Sequence, residues 1–242
     1  MSASFEYKGV NSLDMYMHIR NEIVFTSPEA DVKFVEVLGR DGELAIDNGR
    51  LKGVPFAIPI TLKLPDGITI DEAATAISNW LKSDIGWFPL KFSGSPGYEY
   101  VAMYTEQFKI SETLKNYGKT ILTFKLKPYK RRVGNESIDV TNGATLYNPE
   151  KRTSKPLITI DGQGDITLKK NGADWLILTA VDGFITIDSE SMSVFKDTLP
   201  QFNKMNGNLS PMFPVLESGE STITWVGDVS KVTIAPRWEA IV

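Results

Sequence analysis

Residues 161–192 read DGQGDITLKKNGADWLILTAVDGFITIDSESM, and the fold class of the C-terminal half turns on this stretch. It holds three short apolar runs: Ile166 to Leu168, Trp175 to Leu178 and Phe184 to Ile187. Asn171-Gly172 and Asp182-Gly183 separate them, and both pairs accept φ > 0 at little cost, as tight hairpin turns require. The spacing predicts short antiparallel strands joined by hairpins, hence a β-sandwich or barrel.

Outward from this stretch the pattern persists. Ile138 to Val140, Ala144 to Tyr147, Leu157 to Ile160, Ser221 to Val226 and Val232 to Trp238 read as further strands, about eight in all. Residues 196–212 read as a long loop, and no helical period of useful length occurs. A jelly-roll-like sandwich is the expectation for this half.

The first half is also mainly β. Val32 to Leu38 is rich in β-branched residues and stops at the turn Gly39-Arg40-Asp41-Gly42. Phe56, Ile58, Ile60, Leu62 and Leu64 alternate with smaller or polar residues, which gives a strand with one buried face. Pro55 and Pro59 each lack an N–H and mark it as an edge or bulged strand. One helix follows, over residues 70–83. Ile70, Ala73, Ala74, Ile77, Trp80 and Leu81 share one face. Thr69 with Glu72 three residues on forms a capping box. Trp87 to Phe92, Tyr98 to Tyr104 and Lys119 to Lys127 read as strands, with a turn at 93–97. Residues 128–136 (PYKRRVGNE) shift to Pro, Gly and charge, so they are read as a linker dividing domains 1–132 and 133–242.

Composition excludes several classes. Hydrophobic content of 42% and charged content of 23% are ordinary for a globular protein. The net charge of -4 gives no whole-chain case for nucleic acid or an anionic membrane. Zero cysteines remove disulfides, thiolate metal sites and Cys nucleophiles together. The first residues, MSASFEYKGVNS, show no export signal, and no run is long enough to span a bilayer.

Tests for chemistry return little. His18 is the only histidine, sits between apolar residues in YMHIR and has no G-x-S-x-G nucleophile elbow to serve. No phosphate loop or dinucleotide fingerprint occurs. Asp161-Gly-Gln-Gly-Asp165 begins like a calcium loop but has Gly172 where the bidentate Glu belongs, so it reads as a Gly-rich turn. Asp182, Asp188 and Glu190 invite a glycosidase reading; Asp188 and Glu190 fall about 6–7 Å apart on one strand face. Nothing beside them predicts a raised pKa, and they read as structural. Trp175, Trp225 and Trp238 are candidates for a sugar-stacking platform, but their apolar strands make them core. Lys125, Lys127, Lys130, Arg131 and Arg132 form the one basic cluster, a solvated strand end or a contact surface.

The order of several motifs resembles the distal tail protein family of siphophages. The marks are Gly9-Val10-Asn11-Ser12, Val37-Leu38-Gly39-Arg40-Asp41-Gly42-Glu43-Leu44, Lys127-Pro128-Tyr129-Lys130 and Asn142-Gly143-Ala144 to Asn148-Pro149. They continue with Ser154-Lys155-Pro156-Leu157-Ile158, Ile187-Asp188-Ser189-Glu190, Phe213-Pro214-Val215-Leu216 and the ending Gly219-Glu220-Ser221 through Pro236-Arg237-Trp238.

The resemblance implies an N-terminal β domain with a packed helix and a C-terminal galectin-like sandwich. It implies a homo-hexameric ring at the virion's tail tip, assembled in the host cytoplasm. The ring would join the major tail (tube) protein to the tail-associated lysin or tail-fibre hub and to receptor-binding or other baseplate proteins. DNA would pass through its channel without specific binding. No enzyme activity, cofactor or metal is implied. Ring contacts are expected on Val32, Phe34, Val35, Glu36, Val37 and Arg40, with Lys130, Arg131 and Arg132 as a basic contact. The alternative is a carbohydrate-binding adhesin whose C-terminal sandwich reads host cell-wall saccharide.

Overall fold

The computed structural model describes residues 3–20, 22–114, 116–134 and 136–242. The chain is mainly β, with a single α-helix among the described residues, and divides into two compact units. The first comprises Met1–Val133 with Ile241–Val242, the second Gly134–Ala240.

In the first unit, β1 (Phe5–Tyr7), β2 (Val10–Asn11) and β3 (Met17–Ile19) precede a hairpin of β4 (Ala30–Glu36) and β5 (Glu43–Leu51). Then come β6 (Val54–Lys63), α1 (Ile70–Lys82), β7 (Phe88–Phe92), β8 (Tyr98–Met103), β9 (Ser111–Leu114) and the long β10 (Tyr117–Arg132). The main sheet runs β2-β1-β7-β8-β10-β6-β3, with β9 also on β10. Alternation in β6 and β10 sends Phe56, Ile58, Ile60, Leu122, Phe124 and Leu126 into the core.

Helix α1 covers that face with Ala73, Ile77, Trp80 and Leu81. The predicted capping box is formed: the Glu72 amide donates to Thr69 Oγ1 (3.2 Å) and the Thr69 amide to Glu72 Oε2 (2.9 Å). Trp80 stacks on Phe5 at 6.0 Å and donates its indole N–H to the Tyr7 carbonyl at 3.1 Å, so its polar edge is satisfied within the core. Each such large side chain contributes about 1.5–3 kcal/mol on burial. At the far end of the helix, the Lys8 ammonium donates to the Leu81 and Asp84 carbonyls (3.3 and 2.7 Å), complementing the negative end of the dipole.

The prolines of β6 sit where the sequence allows. β3 covers β6 only at Ile60–Leu62, so residues 54–59 have β10 on one side. The Pro59 carbonyl accepts from the Arg20 amide (3.1 Å) on the side away from β10. Pro55 has the same parity, so both missing N–H groups belong to the outer edge. The strand β10 runs on through Pro128 to Arg132, with an irregularity between Leu126 and Lys130. The predicted linker therefore begins as strand, and its Asn135 lies outside the described residues.

The second unit contains β11 (Ile138–Val140), β12 (Ala144–Asn148), β13 (Leu157–Lys170), β14 (Ala173–Asp188), β15 (Ser193–Lys196), β16 (Leu199–Pro200) and β17 (Gly219–Ala235). β18 (Glu239–Ile241) ends the chain, and the Val242 amide donates to the Pro128 carbonyl in the first unit's group (3.1 Å). The sheet order is β11-β17-β13-β14-β15-β16, with β12 also on β17. The stretch 196–212 holds β16 and one turn of 3-10 helix at Phe202–Lys204 rather than loop alone.

Here the opening stretch corrects its own reading. Asn171-Gly172 is a hairpin turn, with φ 52° and 85°, as a type I′ turn needs φ > 0 at both central residues. At Asp182-Gly183 only the glycine has positive φ (80°), and no turn closes. Gln163↔Asp182 and Gly162↔Gly183 are rungs inside one continuous ladder, so two predicted strands are one, β14. Asp161–Asp165 is likewise strand β13, not a turn, with Asp165 Oδ1 accepting from the Ala180 amide (3.0 Å). The predicted strands at 221–226 and 232–238 are also joined in β17, which ends at Ala235 before Trp238.

Bulges explain how these long strands close a core. In β14 the buried residues pass from Leu176 and Leu178 to Val181, Ile185 and Ile187, switching parity at Ala180 (φ 50°). In β17 they pass from Ile223 to Val232 and Ile234, across Gly227. The extra residues keep apolar side chains on the inner face as the sheet curls, and both ends of β13 and β14 feed one core cluster. Gly162 and Gly227 allow the close approach. An added Cβ would meet the Asp228 carbonyl oxygen at 2.4 Å in the first case and the Asp165 carbonyl oxygen at 2.5 Å in the second.

Candidate assembly surfaces

The hairpin β4–β5 pairs with no other strand of the described chain. Cross-strand register sorts its side chains into two faces. Phe34 and Glu36 lie opposite Ala45 and Glu43, with Val32 opposite Asp47. Lys33 and Val35 lie on the other face, opposite Ile46 and Leu44. Val37 and Arg40 belong to the turn, closed by the Arg40 amide on the Val37 carbonyl (3.1 Å). The six residues singled out for contact are thus spread over both faces and the tip. Phe34 is 61% exposed and Leu38 fully so. Ion pairs Arg50–Asp31 (2.6 Å) and Lys52–Glu29 (3.3 Å) hold the base, and the Arg50 hydrogen bond keeps the Asp31 carboxyl below its usual range. A two-stranded ribbon is marginal by itself, and this one leaves Phe34, Val37, Leu38, Leu44 and Ile46 exposed.

The basic cluster divides. Lys125 and Lys127 point away from the core with Lys119, by the same alternation that buries Leu122, Phe124 and Leu126. Beyond the irregularity Lys130 turns toward Tyr98 (4.6 Å) and Tyr100 (5.8 Å), while Arg131 and Arg132 lie opposite Glu99 and Tyr98. Lys130, Arg131 and Arg132 are therefore not one free patch. Sequence reading missed Lys63 and Lys119, which β6–β10 pairing brings to the same outer face. It also missed β5, although Leu44 and Ile46 alternate directly after the turn.

The chemical candidates are all engaged structurally. Arg237 donates to Asp188 Oδ1 (2.6 Å) and lies 3.4 Å from Glu190 Oε2. Burial raises the Asp188 carboxyl, but the Arg237 hydrogen bond and charge, with the Glu190 and Ser191 amides, outweigh it and leave it below the ordinary range. A glycosidase acid needs the opposite shift. Burial and then the Lys63 charge hold the His18 imidazole below its ordinary pKa. Trp175 and Trp238 are buried, and Trp225 is partly buried against the same core. Trp175 donates its indole N–H to the Val215 carbonyl (3.1 Å). These rings are taken up by packing and offer no stacking platform. Among the described residues no cluster of His, Asp and Glu is placed to hold a metal ion.

Fold and surface together define a class: a two-unit, mainly-β protein whose salient exposed features are a free hairpin and a lysine-bearing sheet face. No protein-family model and no curated protein matches the chain. Solved structures do. The SPP1 Dit (gp 19.1) protein, described as a paradigm of the hub adsorption apparatus in phages infecting Gram-positive bacteria, superimposes with a TM-score of 0.72 at 14% identity. The match covers 97% of this chain and 98% of that one. A chain of the phage P2 baseplate in its activated conformation with Ca gives 0.50 at 9% identity, covering 97% of both. The phage p2 baseplate with Sr gives 0.53 at 9%, covering 96% of both. The chain has the fold of these phage hub and baseplate proteins.

Proposed function

We propose that the protein is a distal tail protein, a structural ring at the tip of a phage tail. Copies associate heterologously, one surface of each meeting a different surface of the next, until a hexamer closes. The ring joins the tail tube to the baseplate or adhesion device and leaves a channel for DNA. It acts through contact, not catalysis. The N-terminal domain, residues 1–132 with its hairpin, carries the ring, and the C-terminal domain, residues 133–242, is a galectin-like sandwich that meets other baseplate proteins.

One observation carries this reading: both units together, not either alone, correspond to SPP1 Dit over 97% of the chain. The free hairpin is consistent with it, because a ring subunit needs surface that its own fold leaves uncovered. The saccharide-adhesin reading lacks support, since the tryptophans it needs are buried or packed on the core. Negative-stain microscopy of the purified protein should show six-fold rings with an open centre. Particles that stay monomeric, or form only two-fold dimers, across the accessible concentration range overturn the proposal.

A further inference from the structure

The main sheet of the first unit has an outer face that its own fold leaves uncovered. On β6 and β10 the residues facing away from α1 are Pro55, Ala57, Pro59 and Thr61 beside Ile121 and Thr123. They make a flat surface of small and apolar side chains, with Ile121 53% exposed at its centre. Lys63, Lys119 and Lys125 frame it. None of the three has an ion-pair partner among the described residues, although the whole chain is acidic at -4.

The hairpin shows the complementary arrangement. Glu36 and Glu43 lie directly opposite each other across β4 and β5, with Asp47 two rungs further on the same face and Phe34 between them. Like charges directly opposite are destabilising, and no cation of the hairpin's own pairs with them. Phe34 and Ile121 are each more than half exposed, so within one copy neither covers the other.

We infer that the lysine-framed outer face of β6 and β10 is the docking site for the acidic β4–β5 face of a second copy of this chain. Phe34 lies against Ala57 and Ile121, and Glu36, Glu43 and Asp47 meet Lys63, Lys119 and Lys125. The contact is heterologous, as ring closure requires, and it rests on the ring reading above. A nucleic-acid backbone would satisfy the lysines but would not relieve the Glu36/Glu43 pair, so a second copy accounts for both surfaces.

Paired charge reversals test this on the full chain. Glu36→Lys with Glu43→Lys should weaken self-association about tenfold or more in sedimentation velocity, and so should Lys119→Glu with Lys125→Glu. All four positions are exposed, and an unchanged thermal melt confirms folding. Mixing the two variants in equal amounts should restore rings, because in an alternating hexamer every hairpin then faces a seat of opposite charge. Rings that persist unweakened in both variants, or fail to return on mixing, overturn the docking site and leave the ring reading standing. Absence of any assembly by wild-type protein removes the ring reading and this inference with it. Loss of binding to random-sequence duplex DNA in the lysine variant, with self-association unchanged, assigns the face to nucleic acid and also overturns it.

Discussion

Tyr104 shows how one hydroxyl can matter for stability without making a bond. Its ring is buried (2% exposed) against Phe124 at 5.3 Å, and its OH has no hydrogen-bond partner among the described residues. Burial, with the Glu106 charge, pushes its pKa up to about 12. The folded state therefore favours the neutral phenol. That stability is fully present below the unfolded value of about 10 and is lost as pH rises from there through about 12. Tyr104→Phe should cost little at neutral pH, since no bond is broken, and should flatten the loss of melting temperature in alkaline buffer. A Phe variant as sensitive to alkali as wild type would show that another group carries the effect. Tyr7 is the contrast: burial raises its hydroxyl's pKa as well, while the Tyr104 main chain offsets part of that rise.

At the scale of elements, the strands of the second unit depend on bulges as much as on alternation. Gly227 combines φ 119° with a carbonyl oxygen 2.5 Å from where a Cβ would sit. Gly143, with φ 93°, has open space around it. Gly143→Ala should cost roughly 1–2 kcal/mol, the strain of backbone alone. Gly227→Ala should cost about 1–3 kcal/mol beyond that, because backbone must also move. Denaturant midpoints at constant slope measure both, and equal losses would mean the bulge can relax. The same glycines show what was legible in sequence. Periodicity identified β6, β10 and α1, and Thr69 with Glu72 placed the helix start. Asp182-Gly183 misled because a bulge and a hairpin turn both select glycine at positive φ; only the preceding residue's φ separates them, and Asp and Asn share that tolerance. The lysine-framed face was hidden for another reason. Lys63 and Lys119 become neighbours only through the pairing of β6 with β10, which no local pattern encodes.

For the whole molecule, the proposed docking of the acidic hairpin on the lysine-framed face makes assembly an electrostatic matter as well as an apolar one. Added salt screens exposed charges over a Debye length of about 10 Å at 0.1 M. Self-association followed by sedimentation should therefore weaken as ionic strength rises. Strengthening with salt would point to an interface held by apolar burial alone. The prolines of β6 bear on the same question from the other side. Between residues 55 and 59 the outward edge offers one amide donor, Ala57, because Pro55 and Pro59 have none to give. A strand from a neighbouring molecule cannot zip along such an edge. In the proposed ring, where neighbours meet through side chains, the chain is thereby kept from polymerising through its backbone along this edge.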